Sequence, residues 1–306
     1  MKLEPVNCAL CGSTESDLIF SVPSLRLRAQ NLRFDLRRCH QCGLVLLSPR
    51  PTGEAMAALY QPQYYTAPHR DFVRRLEELI LRERVSFVRS HTSGNRILDV
   101  GCGNGGLLHA LSEAEYDVHG LEPYQDALAG VPEGLRSRIR CEPFEAASYP
   151  EGSFDVITLW HVLEHLARPV ETLQSIRKFL KSDGTLILEV PNFASCEARW
   201  LGPYWYNLDA PYHFWHFTPQ TLQAAAQQAG FQVTTCVTSA VTRPVWLLNY
   251  LLLGASAAAE WWQTRHPAWR KQPQMTMALG FLFCSGNRLL FAGSCPMLRL
   301  VCRKFA

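Results

Sequence analysis

Ile97-Leu98-Asp99-Val100-Gly101-Cys102-Gly103-Asn104-Gly105-Gly106 is the stretch of this chain that decides its fold. It begins as an apolar run typical of a buried strand and continues with four glycines within six residues. Glycine permits positive φ angles and lets the backbone approach a ligand closely. Residues 107–111 can then open a helix whose free N–H groups face that ligand. The stretch therefore predicts a strand, a glycine turn and a helix around a bound ligand.

Two acidic residues stand at the ends of predicted strands. Asp99 ends the strand that leads into the glycine turn, and Glu122 ends the next apolar strand, residues 117–121. A carboxylate at this place in a parallel sheet can hold a ribose diol. A glycine turn alone is weak evidence, because many nucleotide-binding folds use one, and a dehydrogenase-type dinucleotide fold is the alternative.

Further motifs give the chain a recognisable pattern, and they follow in order at 153–157, 162–165, 181–186 and 191–192. Together with the glycine turn and Glu122, they resemble the class I S-adenosylmethionine-dependent methyltransferases over about residues 95–235. The resemblance implies an α/β fold, a Rossmann-like seven-stranded sheet with helices on both faces. It also implies S-adenosylmethionine as the cofactor.

The same resemblance implies a set of cofactor-binding residues. In the family, the segment after the third strand contacts the adenine, often through an aspartate. Pro143 occupies that position in this chain, so the hydrogen bond is expected from the backbone or from Glu145, with Phe144 beside the adenine. The full predicted set is Asp99, Gly101, Cys102, Gly103, Gly105, Glu122, Pro143, Phe144, Glu145 and Trp160.

Alternating strands and helices predict a parallel sheet that is covered on both faces. Strands are predicted near 96–100, 117–121, 138–141, 154–160 and 184–190. Helices are predicted near 105–115, 124–130 and 168–180. The family pattern adds strands near 231–238 and 297–303, the last of them antiparallel.

Two CxxC pairs stand near the start of the chain, Cys8 with Cys11 and Cys39 with Cys42. Each pair aims two thiolates at one point, and together they complete a closed, structural tetrahedral Zn²⁺ site. Residues 1–50 are therefore predicted to form a zinc-ribbon-like unit. The metal would stabilise this unit, because it is too small for a hydrophobic core of its own. Redox-active CxxC is the alternative, but two copies in so short a unit argue against it.

Five residues form the predicted catalytic cluster. His161, Glu164 and His165 are spaced i, i+3 and i+4, which would put them on one face of a helical turn, and His213 and His216 lie downstream. Relatives with Glu-x-x-Glu-His in the first segment bind a divalent metal there, among them ubiquinone-biosynthesis O-methyltransferases and plant small-RNA 2′-O-methyltransferases. His161 replaces the first glutamate in this chain. Three roles stay open: a second divalent metal, a histidine general base, and hydrogen bonds that organise the pocket wall.

The remaining segments complete the domain plan. Residues 51–94 are predicted to be a linker and a helix near 70–89 whose arginines face solvent. The methyltransferase core follows over 95–243, an apolar helical insertion over 244–295, and a closing strand of the core over 296–306. Paired tryptophans and nearby basic residues in the insertion suit a membrane surface, while a cover over the active site or a homodimer interface is the alternative.

Composition narrows the functional classes. The chain has 306 residues, of which 47% are apolar, and this supports a substantial core. Its net charge of +3 is too small to imply nucleic acid. Eleven cysteines fit a reducing cytoplasm better than a disulfide framework. No run of eighteen uninterrupted apolar residues is present, so a conventional membrane span is not expected.

These observations predict methyl transfer from S-adenosylmethionine to a small-molecule or lipid-linked acceptor, at oxygen. The aromatic-rich stretch 192–209 would suit an apolar or glycan acceptor. One alternative is an RNA-modifying methyltransferase that binds through ribbon arginines, which the modest charge argues against. Another is a non-catalytic S-adenosylmethionine-binding protein. The expected location is the cytoplasm, with attachment to the inner face of the membrane as the alternative.

Overall fold

The computed structural model describes residues 1–24, 32–60, 71–240 and 295–304. The apolar insertion predicted for 244–295 therefore lies outside the described residues, except for its last residue, Cys295. The proposals of membrane-surface binding or dimerisation through that segment lie outside them too. Among the helices within the described ranges, none combines the length and the apolar character needed to cross a bilayer.

The N-terminal part of the chain is built from short strands and is followed by two helices. Residues 1–51, which we call the ribbon unit, contain strands β1 (Leu3–Glu4), β2 (Ser16–Pro23), β3 (Arg33–Cys39), β4 (Val45–Leu47) and β5 (Arg50–Pro51). Helices α1 (Gly53–Ala57) and α2 (Asp71–His91) follow. The helix predicted near 70–89 is thus confirmed as α2.

Strands and helices then alternate as predicted. In chain order they are β6 (Arg96–Val100), α3 (Gly106–Glu113), β7 (Asp117–Leu121), α4 (Glu133–Arg136), β8 (Ile139–Arg140), β9 (Phe154–Trp160), α5 (Pro169–Phe179), β10 (Leu180–Pro191), α6 (Cys196–Leu201), β11 (Trp215–His216), α7 (Pro219–Gln228), β12 (Phe231–Ser239) and β13 (Met297–Lys304). The helix predicted near 124–130 is a 3₁₀ helix, Gln125–Gly130. Strand β10 starts four residues before its predicted position, with an irregularity between Leu180 and Thr185.

Seven of these strands form one mixed sheet in the order β12-β13-β10-β9-β6-β7-β8. Strands β6 to β10 run parallel, and β13 is antiparallel to both of its neighbours, β10 and β12. The central strands are apolar and buried, as expected of a sheet covered on both faces. This is the predicted Rossmann-like α/β fold. Its ligand edge lies at the carboxyl ends of β6, β7 and β9, where the strand order reverses.

The ribbon unit is not closed on itself. Its four-stranded sheet has the order β11-β4-β3-β2, so the edge strand β11 comes from the methyltransferase core. Trp215 pairs with Leu46, and His216 pairs with Val45. The ribbon unit predicted to end at residue 50 and the methyltransferase core therefore share one sheet.

Helix α2 is held to the seven-stranded sheet by buried charges. The carboxylate of Glu189 on β10 is fully buried and accepts hydrogen bonds from Arg84 Nη2 at 2.9 Å and from Arg299 Nε at 2.6 Å. Arg299 on β13 also bonds Glu83 of α2. The expectation that the arginines of α2 face solvent is therefore wrong for Arg84, because the buried carboxylate requires a cationic partner.

Candidate functional site

The glycine turn is closely packed on one side and open on the other. Gly101, Gly103 and Gly105 all have positive φ angles, and Gly105 caps the N-terminus of α3. A Cβ atom at Gly101 would lie 2.5 Å from Cγ2 of Val162, so only glycine lets this turn pack against the loop after β9. A Cβ atom at Gly103 would meet nothing within 4 Å, which leaves room beside the turn for a ligand.

Glu122 braces the turn from the end of β7. Its Oε2 accepts a hydrogen bond from the backbone N–H of Gly103 at 3.0 Å, and its Oε1 accepts one from Tyr124 at 3.1 Å. Burial raises the pKa of Glu122, although these two N–H groups act in the opposite direction. A carboxylate has about four lone-pair sites, so Glu122 can still accept the two hydroxyls of a ribose. The arrangement fits the predicted cofactor.

Asp99 lies deeper, beneath the turn. Its side chain is only 3% exposed and accepts a hydrogen bond of 2.6 Å from Thr158 Oγ1 on β9. Burial raises the pKa of Asp99 to about 7, and the Thr158 hydroxyl reduces that shift only in part. Asp99 therefore supports the ligand edge from inside the sheet.

The other predicted cofactor residues occupy different surroundings. The Phe144 ring is buried 6.1 Å from the ring of Phe179, Pro143 precedes the 3₁₀ helix Phe144–Ala146, and Glu145 is exposed. Trp160 is buried, with the guanidinium of Arg84 4.6 Å from its ring. Cys102 is also buried, and the pKa of its thiol is raised by burial. The cofactor contacts of all these residues stay predictions.

Three residues of the predicted catalytic cluster converge. Glu164, His165 and His213 each offer a ligand atom, and the three atoms lie within 4.8 Å of one another. Nδ1 of His213 lies 2.7 Å from the carbonyl oxygen of Asn207, and Nδ1 of His165 lies 3.1 Å from that of Tyr212. A carbonyl can only accept, so we assign the proton to Nδ1 in each ring, which leaves Nε2 as the free lone pair.

Glu164 completes this group as a buried anion. Its side chain is fully buried, and neither oxygen has a hydrogen-bond partner among the described residues. Burial alone would raise the pKa of Glu164, but the neighbouring histidines, His161 first, outweigh it and lower the pKa. One carboxylate and two imidazoles form a donor set that a divalent metal can use.

The other two histidines stand beside this group. His161 has a φ of +60°, with Nε2 3.2 Å from Glu189 Oε1 and Nδ1 3.6 Å from Glu164 Oε1. It precedes the 3₁₀ turn Leu163–His165, so the predicted single helical face does not form. His216 is buried, and neither of its ring nitrogens has a hydrogen-bond partner in the described part of the chain.

Two residues outside the predicted set contact the histidines. The ring of Tyr60 stacks on that of Tyr124 at 4.6 Å, and its hydroxyl lies 3.1 Å from Nδ1 of His165. The other residue is Glu189, which holds His161. A single acid within the apolar run of β10 is the signal that could have revealed Glu189. The aromatic cluster of Tyr60 with Tyr64 and Tyr65 is the signal for Tyr60, since it indicates either core packing or a lid over the cofactor.

The four cysteines of the ribbon unit also converge. Sγ of Cys8 lies 3.3 Å from Sγ of Cys42, and Sγ of Cys11 lies 3.4 Å from Sγ of Cys39. All four sulfur atoms fall within 4.8 Å of one another, and none is in a disulfide. The group can therefore hold one metal ion.

Comparisons with known proteins identify a family for this chain. A family model described as a methyltransferase domain matches residues 70–235. The ubiquinone biosynthesis O-methyltransferase of Methylococcus capsulatus is 34% identical over 117 residues, which are 36% of this chain and 49% of that enzyme. The enzyme of the same name from Bordetella avium is 29% identical over 158 residues, which are 45% of this chain and 63% of that enzyme. The chain therefore spans about half to five-eighths of the length of these relatives.

A solved structure, a SAM-dependent methyltransferase from Archaeoglobus fulgidus, aligns with a TM-score of 0.49 at 19% identity. The alignment covers 74% of this chain and 94% of that one.

Substitution of the buried carboxyl at Asp99 should change stability in a pH-dependent way. The pKa of Asp99 is about 7 in the folded chain but about 3.9 when unfolded, so folding takes up a proton between these values and stability falls as pH rises through them. Asp99→Asn removes that loss. In denaturant unfolding of the cofactor-free protein, the free energy of unfolding of Asp99→Asn relative to that of the wild type should rise from pH ~5 to pH ~8.

Asp117 on β7 provides the control of opposite sign. Burial raises its pKa, but Arg138 and His119 outweigh that effect and lower it. Its carboxylate stabilises the folded chain above the unfolded pKa, so Asp117→Asn should lose stability relative to wild type as pH rises from acid values. If the difference in free energy of unfolding between Asp99→Asn and the wild type does not vary with pH, the raised pKa of Asp99 is contradicted.

Proposed function

Because the chain belongs to the methyltransferase domain family matched over residues 70–235, we propose that it transfers the methyl group of S-adenosylmethionine to a hydroxyl of a small-molecule or lipid-linked acceptor. The convergence of Glu164, His165 and His213 beside the glycine turn carries this proposal. Both relatives described above are named O-methyltransferases, which supports oxygen as the accepting atom.

The residues at the ligand edge suit the cofactor. Glu122 would accept the ribose hydroxyls, and the open side of Gly103 would leave room for the rest of the molecule. S-adenosylmethionine supplies an activated methyl group, so the protein mainly has to align acceptor and cofactor and to exclude water. Tyr60, which contacts both Tyr124 and His165, would hold the two sides of the site at a fixed separation.

We propose that Glu164, His165 and His213 hold a divalent metal ion. Such an ion would lower the pKa of the acceptor hydroxyl. Asn207 and Tyr212 would orient the two imidazoles, as the outer partners of metal ligands commonly do. The full burial of Glu164 supports this role, because a buried carboxylate needs compensating positive charge. A bound cation would add to the charge of His161, whose Nδ1 lies 3.6 Å from Glu164 Oε1.

A histidine general base fits the site less well. Burial alone would lower the pKa of His161, but Glu164 and Glu189 outweigh it and raise the pKa, which favours a protonated ring. Burial, and then His213, lower the pKa of His165 to about 4, which makes it a weak base. Burial and His213 lower that of His216 to about 3. None of these three matches a base poised near neutral pH.

Aromatic side chains next to the histidines support an acceptor with an apolar or aromatic body. The Phe193 ring lies 5.8 Å from that of His216 and 6.3 Å from that of Trp205. Trp205 also packs against the ribbon unit, so ordinary packing accounts for part of this wall. A hydroxylated aromatic ring such as catechol is therefore a suitable first probe.

Removal of the Glu122 carboxylate should weaken cofactor binding. We expect Glu122→Ala to raise the dissociation constant for S-adenosylmethionine about tenfold or more, since hydrogen bonds to charged groups contribute about 1.5–3 kcal/mol. Titration calorimetry measures the constant. Glu113→Ala, at an exposed position of the adjoining helix α3, serves as the matched control. Equal affinity in both variants would rule out the ribose contact.

Glu164→Gln should abolish metal-supported methyl transfer while cofactor binding is kept. With catechol as acceptor and Mn²⁺ as the ion, formation of S-adenosylhomocysteine should fall about 100-fold or more, because even the outer partners of metal ligands contribute about 10- to 100-fold. Glu171→Gln on the exposed face of α5 is the control. Turnover that is unaffected by Mn²⁺ and by Glu164→Gln would exclude the metal role.

We propose that Cys8, Cys11, Cys39 and Cys42 hold one structural Zn²⁺. Elemental analysis of protein purified under reducing conditions without chelators should find one zinc per chain. Cys42→Ser should lower that content, while Cys236→Ser, on the edge strand β12, should leave it unchanged. A wild-type protein without zinc would refute the assignment.

A further inference from the structure

Strand β4 of the ribbon unit is buried on both of its faces. Leu44 and Leu46 pack in one apolar cluster with Tyr212, Phe214 and Trp215. The alternate residues of the same run, Val45 and Leu47, pack in a second cluster with Ala198, Trp205, Leu208 and Ala210. A strand of a metal-stapled unit thus forms the packing surface for a long loop-rich segment of the core, residues 193–216.

The backbone connects β4 to the catalytic cluster over a very short path. The carbonyl of Phe214 accepts a hydrogen bond from Leu47 N–H at 2.9 Å, and Phe214 N–H donates to the carbonyl of Glu164 at 2.9 Å. His213, immediately before Phe214, is one of the three converging residues. The backbone of one residue therefore joins the ribbon unit to the segment that carries Glu164.

Side chains reinforce the same junction. The guanidinium of Arg50 lies 4.8 Å from the ring centroid of Phe214 and 5.8 Å from that of Trp215. Its Nη1 donates to the carbonyl of Ala167 at 3.4 Å. Trp215 Nε1 donates to the carbonyl of Leu166 at 2.8 Å. The junction thus holds both the 164–167 segment and the 214–215 segment.

We infer that the ribbon unit is a positioning element of the acceptor site, in which β4, through its pairing with Trp215–His216 and the Phe214 peptide, fixes His213 and His216 relative to Glu164. This inference rests on the proposed function where it treats Glu164 and His213 as acceptor-side groups. The four cysteines act at a distance, by holding β3 and β4 in place. An independent ribbon that only recruits partners would leave the 212–217 segment ordered when its metal is lost.

Hydrogen exchange measured by mass spectrometry on the full-length chain tests the inference without any acceptor. In Cys42→Ser, amide exchange in 212–217 should rise about tenfold or more together with that of 44–47, because the two segments would open as one unit. Strands β6 and β9 should keep their protection, and Cys236→Ser should resemble the wild type. Unchanged protection of 212–217 while the ribbon unit exchanges faster would overturn the inference.

A second pair of variants leaves the cysteines intact. It tests the inference even if Cys42→Ser unfolds parts of the chain beyond the ribbon unit. Arg50→Met removes the contacts with Phe214, Trp215 and Ala167 together with an ion pair to Glu4. Among the described residues, Arg37→Met removes bonds to Ser16 alone, within the ribbon unit. Faster exchange of 212–217 is expected in Arg50→Met alone. Equal exchange in these two variants, both retaining zinc, would contradict the positioning role.

Mn²⁺ binding, followed by electron paramagnetic resonance of the free ion, adds a readout at the site itself. Mn²⁺ prefers oxygen and nitrogen donors over thiolates, so it reports on the Glu164 group. The affinity of the protein for Mn²⁺ should fall several-fold in Arg50→Met and stay unchanged in Arg37→Met, since metal sites depend on the orientation of their ligands. A wild-type chain that binds no Mn²⁺ would refute the proposed metal, while the exchange data would still decide the positioning role.

Discussion

The buried carboxylate of Glu189 is the constraint on which much of the core depends. An unpaired charge in a sheet interior costs several kcal/mol, so the chain must bring cations to it. Arg84 from α2, Arg299 from β13 and the ring of His161 meet this requirement. One residue thereby fixes helix α2, the closing strand β13 and the start of the loop 161–165. The left-handed backbone of His161 is held by the same residue, because the N–H of His161 donates to the backbone carbonyl of Glu189.

Close packing between two loops joins the cofactor edge to the histidines. Gly101 brings the glycine turn against Val162, two residues before Glu164, at a distance no Cβ atom would allow. Tyr60 spans the same gap from the other side by contacting Tyr124 and His165. A glycine that the sequence associates with ligand approach thus has a second role, since it sets the distance between the glycine turn and the loop that carries Glu164.

Local pattern made most of the fold predictable, while contacts distant in sequence did not. Apolar runs and glycines gave the five parallel strands of the large sheet within a few residues, and CxxC spacing gave the cysteine cluster. The two antiparallel strands, β12 and β13, followed only from the resemblance to the family. Strand β11 could not be predicted, because a pair of residues has no periodicity and its partner lies about 170 residues earlier. The i, i+3, i+4 spacing of the histidine motif suggested a common helical face, but the turn at His161 follows from tertiary contacts with Glu189.

The shared sheet changes what the cysteine cluster stabilises. A small ribbon cannot bury much apolar surface alone, and the run Leu44 to Leu47 would be exposed on it. The segment 193–216 likewise has apolar residues to cover, among them Trp205, Leu208 and Ala210. The run 44–47 and the segment 193–216 bury each other's apolar side chains, so their contact stabilises both the ribbon unit and the core. Because β4 pairs with Trp215 and His216, residues of the ribbon unit lie directly beside the segment that carries His213, and we propose that they determine how well its imidazole is placed.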